Sequence, residues 1–185
     1  MADIYRPVES DWERVRDLRL RALRDTPIAF LESVDDALAL PEEVWRERAR
    51  RNEQPDTVVL VARDEDAGWI GTMTAVASDT GPWYLDRPSE RAGERRAYLV
   101  GVWIDPAFRG REAGVTDQLL AAIAAWVRDD RGLARLHLHV SDENPRARRY
   151  YERRGFTATG VLDRIAGRDD TQVELVADVA DLIPA

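Results

Sequence analysis

The chain has 185 residues, 44% hydrophobic and 34% charged, which suits one domain with a sizeable core and excludes a disordered chain. A formal net charge of −8 argues against non-specific nucleic-acid binding, which needs a basic surface, and favours cationic small molecules near the clefts. The absence of cysteine removes disulfides, thiolate zinc sites and cysteine nucleophiles, and no apolar run is long enough for a membrane span.

The opening segment MADIYRPVESDW has no basic start followed by an apolar core. No signal peptide is read there, and a cytoplasmic location is expected. Residues 2–8 read as a first strand. SDWERVRDLRLRAL follows as a helix capped by Ser10 or Asp11, with Trp12, Val15, Leu18, Ala22 and Leu23 at roughly helical spacing. Residues 25–40 are mixed. PEEVWRERARRN starts a helix with Pro41 in its first turn. TVVLVAR and WIGTMTAVAS are strands joined by DEDAG, a hairpin. Residues 79–94 read as a long loop, and such loops are often functional. RRAYLVGVWI is a strand. Val115, Leu119, Ile123, Trp126 and Val127 then mark a helix from about 113 to 131. ARLHLHV alternates as a strand, NPRARRYYERR is a short helix stopped by Gly155, and TQVELVADV is a final strand. With no repeat or linker, the order β-α-α-β-β-β-α-β-α-β predicts a single α/β domain over 1–185 with a mixed sheet.

The segment WIDPAFRGREAGVTDQLL joins a strand to that long helix. A helix start offers main-chain N–H groups and partial positive charge, both favourable to phosphate. Asp105-Pro106 ends the strand, Arg109, Gly110 and Arg111 add charge and close approach, and Gly114 lets a ligand near the first turn. There is no P-loop lysine and no G-x-G-x-x-G. Spacing alone leaves two readings open, a diphosphate site and an ordinary strand–turn–helix corner.

One helix and one strand downstream lies NPRARRYYERRGF, 144 to 156, with Asn144, Ala147, Tyr150, Tyr151, Gly155 and Phe156 in a recognisable pattern. Together the two segments resemble the GNAT superfamily of acyl-CoA-dependent N-acetyltransferases. The likeness is detailed over about 95 to 160 and looser before it. The resemblance implies a mixed, mostly antiparallel central sheet with a splayed pair of parallel strands and helices on both faces. It implies acetyl-CoA as the acyl donor, no metal, and a primary amine of a small molecule or peptide as acceptor. Val100, Val102 and Ile104 would wall the pantetheine channel. The main chain of Arg109, Gly110, Arg111, Glu112, Ala113, Gly114 and Val115 would hold the diphosphate, and an N–H near Val102 would serve the thioester oxygen. Tyr151 would meet the leaving thiolate as acid and also contact the donor. Asn144 would cap its helix or bond the pantetheine arm. Trp83 and Tyr84 are candidates for the acceptor wall. No membrane or nucleic-acid partner is expected, and a homodimer stays open.

Glu112 departs from the family pattern, which has glycine at that place. It keeps its N–H but brings a carboxylate close to two phosphate charges, so weakened donor affinity is expected. No base is legible. Val100 and Gly101 stand where many relatives carry an acid, and Glu32, Asp35, Asp36, Asp79, Asp86 and Glu94 lie in loops without a mark to distinguish them. His137 and His139 share a strand face, but a zinc site would need a further ligand. Alternation with Leu136, Leu138 and Val140 explains the two histidines more plainly. No G-x-S-x-G elbow supports a hydrolase. The alternative is a GNAT scaffold with a degenerate donor site that binds, supports structure or catalyses a different reaction.

Overall fold

The β-branched run TVVLVARD and the apolar run GWIGTMTAVAS form β2 (Thr57–Asp64) and β3 (Gly68–Ser78) on either side of an acidic turn. Asp64 shapes the turn by accepting from the N–H groups of Asp66 and Ala67. The structure is a computed structural model and describes residues 2–81, 93–110, 114–165 and 169–184. Among the described residues, seven strands hydrogen-bond in the order β1-β2-β3-β4-β5-β7-β6. The chain packs as two compact units, 1–74 with 101–120 and 75–100 with 121–185.

In the first unit, β1 (Asp3–Tyr5) pairs antiparallel with β2, Ile4 opposite Ala62. A 3-10 turn at Glu9–Asp11 leads into α1 (Trp12–Asp25). Asp11 stands at the N-cap of α1 as expected, but its carboxylate makes no cap bond and accepts from the Tyr5 hydroxyl and the Val8 N–H, tying strand to helix. Helix α1 buries residues on two sides. Leu18 and Ala22 meet Val61, Trp69 and Trp103, while Leu20 and Leu23 meet Ala37 and Trp45. Burial of each large side chain contributes about 1.5–3 kcal/mol. The mixed stretch holds α2 (Val34–Ala39), capped by the Ser33 hydroxyl, which accepts from the Asp36 N–H. Pro41 sits at the N-cap of α3 (Glu42–Ala49), one place earlier than expected.

In the second unit, β4 (Arg96–Ile104) contributes its first five residues and pairs parallel with β5 (Arg135–Ser141). Strand β5 pairs antiparallel with β7 (Thr171–Asp178), and β7 with β6 (Thr157–Arg164). Register fixes the faces. Leu136, Leu138 and Val140 lie opposite Ala177, Leu175 and Val173, and all six are buried. His137, His139 and Ser141 lie opposite Val176, Glu174 and Gln172 on the other face. Helix α4 (Val115–Asp129) runs from the first unit into the second, and α5 (Pro145–Glu152) ends at Gly155, whose φ of 87° supplies the left-handed stop. Strand β6 was not expected. It is an edge strand with little burial, broken by a register shift between Ala158 and Leu162, so its sequence carries no apolar alternation.

Candidate active site

In the first unit, β4 runs through Gly101 to Val102, Trp103 and Ile104. Gly101 has φ +60°, which marks a bend in the strand that a side chain would resist. Val102 is half-buried and Ile104 buried. Asp105 stops the strand and caps a 3-10 turn at Pro106–Phe108 by accepting from the Ala107 N–H, while its other oxygen accepts from Arg21. Arg109 does not point outward. Its Nε donates to the Ile104 carbonyl at 2.8 Å and its Nη2 to the Asp25 carboxylate. Trp103 Nε1 donates to the same carboxylate at 2.9 Å. Burial disfavours the Asp25 charge, but hydrogen bonds from Thr26, Arg109 and Trp103 outweigh it and hold the carboxyl below its ordinary value.

Gly110 has φ 126° and Gly114 φ 61°, so two glycines set the path of the turn. The Gly114 carbonyl accepts the first helical bond, from the Gln118 N–H at 3.0 Å, which puts Gly114 at the cap of α4. A glycine there brings no side-chain oxygen of its own to the first-turn N–H groups. Val115 is buried just behind it. Arg111, Glu112 and Ala113 lie outside the described residues, as do Trp83, Tyr84 and Asp86.

In the second unit, the β4–β5 ladder runs from Ala97 and Leu136 to Leu99 and Leu138 and stops there among the described residues. Strand β5 continues to Ser141 on β7 alone, so Val100 and His139 stand just past the last rung. Asn144 caps α5, its Oδ1 accepting from the Ala147 N–H at 3.1 Å. Tyr151 is buried, edge-on to Tyr150 at 5.2 Å and to Phe156 at 5.4 Å. Burial alone pushes its hydroxyl well above the ordinary tyrosine value, so it stays protonated at any working pH. Tyr150 is half-buried beneath the Arg154 guanidinium.

The polar face of β4, β5, β7 and β6 is the feature the sequence reading missed. Arg96, Tyr98, His137 and Glu174 are all buried there. Glu174 accepts from His137 Nδ1 at 3.3 Å and from the Thr159 hydroxyl at 2.7 Å, with Arg96 Nη1 at 3.8 Å. Desolvation opposes its charge, yet the bonds from His137 and Thr159 bring its carboxyl down to about 2. His139 Nε2 lies 3.0 Å from Asp163 Oδ2, and Tyr98 stacks on the His139 ring with centroids 6.1 Å apart. Gln172 donates to Asp170 at 2.6 Å farther along the face. The two histidines are therefore held by carboxylates, not by the leucines beside them. The signal was there, since Q-x-E in β7 alternates as H-x-H does in β5.

Four of the loop acids are engaged by other groups. Glu32 accepts from Arg19 and Arg48, Asp36 bonds the Ser33 hydroxyl, Asp79 pairs with Arg95 and Glu94 with Arg96. Among the described residues, no three His, Asp or Glu are grouped to hold a metal, and no helix is long and apolar enough to cross a membrane.

Residues 12–156 match the model of the Acetyltransferase (GNAT) family. A mycothiol acetyltransferase of Beutenbergia cavernae is 31% identical over 146 residues, covering 78% of this chain and 40% of that one. The chain thus spans about two fifths of the length of the curated relatives it matches. Among solved structures, the acetyltransferase of GNAT family from Streptococcus pneumoniae superposes with a TM-score of 0.70 at 18% identity, covering 96% of this chain and 99% of that one. YncA of Salmonella typhimurium, determined with its cofactor acetyl-CoA, gives 0.67 at 17% identity, covering 97% and 94%.

Proposed function

The chain belongs to the GNAT acetyltransferase family, and from that premise we propose that it forms one acetyltransferase domain that moves an acetyl or short acyl group from acetyl-CoA to a primary amine of a small molecule or peptide. The observation that carries this reading is the turn from Asp105 to Gly114. It leaves β4, is shaped by two left-handed glycines, and delivers the chain to a glycine-capped helix start. Such a start suits a diphosphate without a metal, because main-chain N–H groups and the helix dipole supply the positive potential. The relative named for mycothiol and the neighbour determined with acetyl-CoA support the same donor chemistry.

The residues take separate roles. Arg109 is committed to Asp25 and the Ile104 carbonyl, so its part is to fix the turn. We assign the phosphates to the main chain of Gly110 to Val115 and to the Arg111 side chain. Val100, Val102 and Ile104 line the pantetheine side, and the Val102 N–H faces charge developing on the thioester oxygen. Tyr151 is the donor toward the leaving sulfur. A thiol titrates near ~8.5 and a tyrosine near ~10, and burial raises Tyr151 further. Its hydroxyl therefore stabilises the thiolate by a hydrogen bond, with little driving force to give the proton away permanently. Asn144 is committed to its cap. Trp83 and Tyr84 remain our candidates for the acceptor wall, and a cytoplasmic location and a homodimer remain parts of the proposal.

Thermal unfolding with acetyl-CoA tests the donor. At a hundred times Kd the ligand stabilises by about 2.7 kcal/mol, roughly 5–10 °C for a chain of this size. Release of free thiol across a panel of amines tests the acceptor. No shift at millimolar acetyl-CoA sinks the reading and leaves a scaffold with a degenerate site.

A further inference from the structure

We propose that Arg21 and Asp25 of α1 are positioning residues for donor binding, which clamp the start of the turn after β4 so that its main chain is presented to the CoA diphosphate; the proposal rests on the acetyltransferase reading above. Helix positions 21 and 25 lie on one face, and that face meets the turn at both ends of its 3-10 segment. Arg21 holds the entry. Its Nη1 donates to Asp105 Oδ2 at 3.2 Å and its Nη2 to the Trp69 carbonyl of β3 at 2.5 Å, while the Asp105 N–H donates to the Ile70 carbonyl at 2.8 Å. Asp25 holds the exit. It accepts from the Arg109 guanidinium, whose Nε is bonded to the Ile104 carbonyl. The same carboxylate accepts from Trp103 Nε1, and the Arg21 guanidinium lies over that indole at 5.5 Å. Arg21, Trp103, Asp25 and Arg109 thus form one connected set, all within the first unit.

The exit has the larger consequence for a ligand. Arg109 is extended, with ψ 140°, and Gly110 follows with φ 126°. The path from Gly110 toward the cap of α4 is therefore set where Asp25 holds Arg109. Main-chain N–H groups bind phosphate when they are aimed at it, and a turn fixed from outside needs less ordering when the ligand arrives.

Fold stability alone does not call for this arrangement. Asp25 is the last residue of α1, where the negative end of the helix dipole disfavours a carboxylate. Against desolvation, the bonds from Thr26, Arg109 and Trp103 keep that carboxylate charged. Arg21 divides its fork among three segments, with Asp17 on its own helix, Trp69 on β3 and Asp105 at the turn.

Acetyl-CoA and S-acetylpantetheine, which has the thioester arm but no diphosphate, separate positioning from plain structure. Arg21→Gln and Asp25→Asn are expected to raise the calorimetric Kd of acetyl-CoA about tenfold. Arg21→Lys keeps the charge but not the fork and should raise it about threefold. The Kd of S-acetylpantetheine, read by its competition with acetyl-CoA, should stay within about twofold of wild type in all three. A folded Arg21→Gln variant that binds acetyl-CoA within about twofold of wild type overturns the clamp while the acetyltransferase reading stands. An equal loss for both ligands also overturns it, because general loosening does not select for the diphosphate. If wild type binds acetyl-CoA no more tightly than S-acetylpantetheine, the diphosphate site falls and the clamp with it. If wild type binds neither, the acetyltransferase reading itself is lost. Should Asp25→Asn fail to fold, the two Arg21 variants decide by the same thresholds.

Discussion

Asp25→Ala tests whether the turn after β4 is fastened by one carboxylate. Asp25 closes α1 and takes two donors from β4 and the turn, Trp103 Nε1 at 2.9 Å and the Arg109 guanidinium. Trp103 is 4% exposed, so loss of its acceptor leaves a buried N–H without a partner, at a cost of about 1–3 kcal/mol. The Arg109–Asp25 pair is half-buried, with side chains 28% and 23% exposed, which adds only about 1 kcal/mol after screening. Arg109 keeps its bond to the Ile104 carbonyl. The expected total is about 2–4 kcal/mol, which is about 4–16 °C in Tm for a chain of this length. Asp25→Asn retains an acceptor for Trp103 and should lose about 1 kcal/mol. A cycle with Trp103→Phe isolates the indole bond, with an expected coupling of about 1–2 kcal/mol. The sign with pH follows from the lowered Asp25 value. Its contribution is present above about pH 4, the ordinary aspartate range, and fades as pH falls through the lower folded value. Reversible thermal unfolding followed by circular dichroism measures all of this. An Asp25→Ala Tm within about 1 °C of wild type at pH 7 would refute the reasoning, because no arrangement with the indole N–H orphaned costs so little.

Three further substitutions have definite expected outcomes. Glu174→Gln should destabilise the protein at pH 7 by up to about 3 kcal/mol, the worth of a carboxyl lowered from 4.5 to about 2, and denaturant titration should show that gap close as pH falls from about 4.5 toward 2. Gly101→Ala meets, among the described residues, only Thr74, its Oγ1 at 3.6 Å and its Cβ at 3.9 Å, both ordinary contacts, so its cost is conformational, about 1 kcal/mol or 2–4 °C in Tm; an unchanged Tm would mean that the φ of +60° is not required. Glu112→Gly should tighten acetyl-CoA binding about tenfold in a calorimetric titration by removing a carboxylate beside the phosphates, and equal affinities would clear Glu112 of any part in the site.

Periodicity carried most of the elements because burial on one face imposes it. The runs that became β2, β3, β5 and β7 and the stripe of α4 were legible for that reason. Strand β6 was not, since an edge strand with alternate residues exposed and a register shift inside it owes its existence to β7 more than to its own composition. Helix α2 was hidden by its six-residue length, too short for a periodic signal, and its cap at Ser33 is visible only in hindsight. The turn at 105 to 114 showed its glycines and its helix start but not the fate of Arg109. A sequence displays a guanidinium as available charge, and only the fold reveals that Asp25, eighty-four positions away, has claimed it.

The polar face of the second unit makes the same point with greater consequence for chemistry. Hydrophobic patterning sorts residues into buried apolar and exposed polar, and it has no symbol for a residue that is both buried and polar. Such patterning counts His137 and His139 as tolerated members of a leucine-rich strand. Their environment is set by cross-strand partners that are remote in sequence: Glu174 opposite His139, Asp163 opposite Gln172, Tyr98 beside His137. Once those partners are in place the face must be kept, because a buried carboxylate such as Glu174 is tolerable only with its donors, and removal of any one of them leaves its charge less well compensated. Stability alone could have been met more simply by apolar residues at these positions, as the opposite face of β5 and β7 demonstrates with Leu138, Leu175 and Val173.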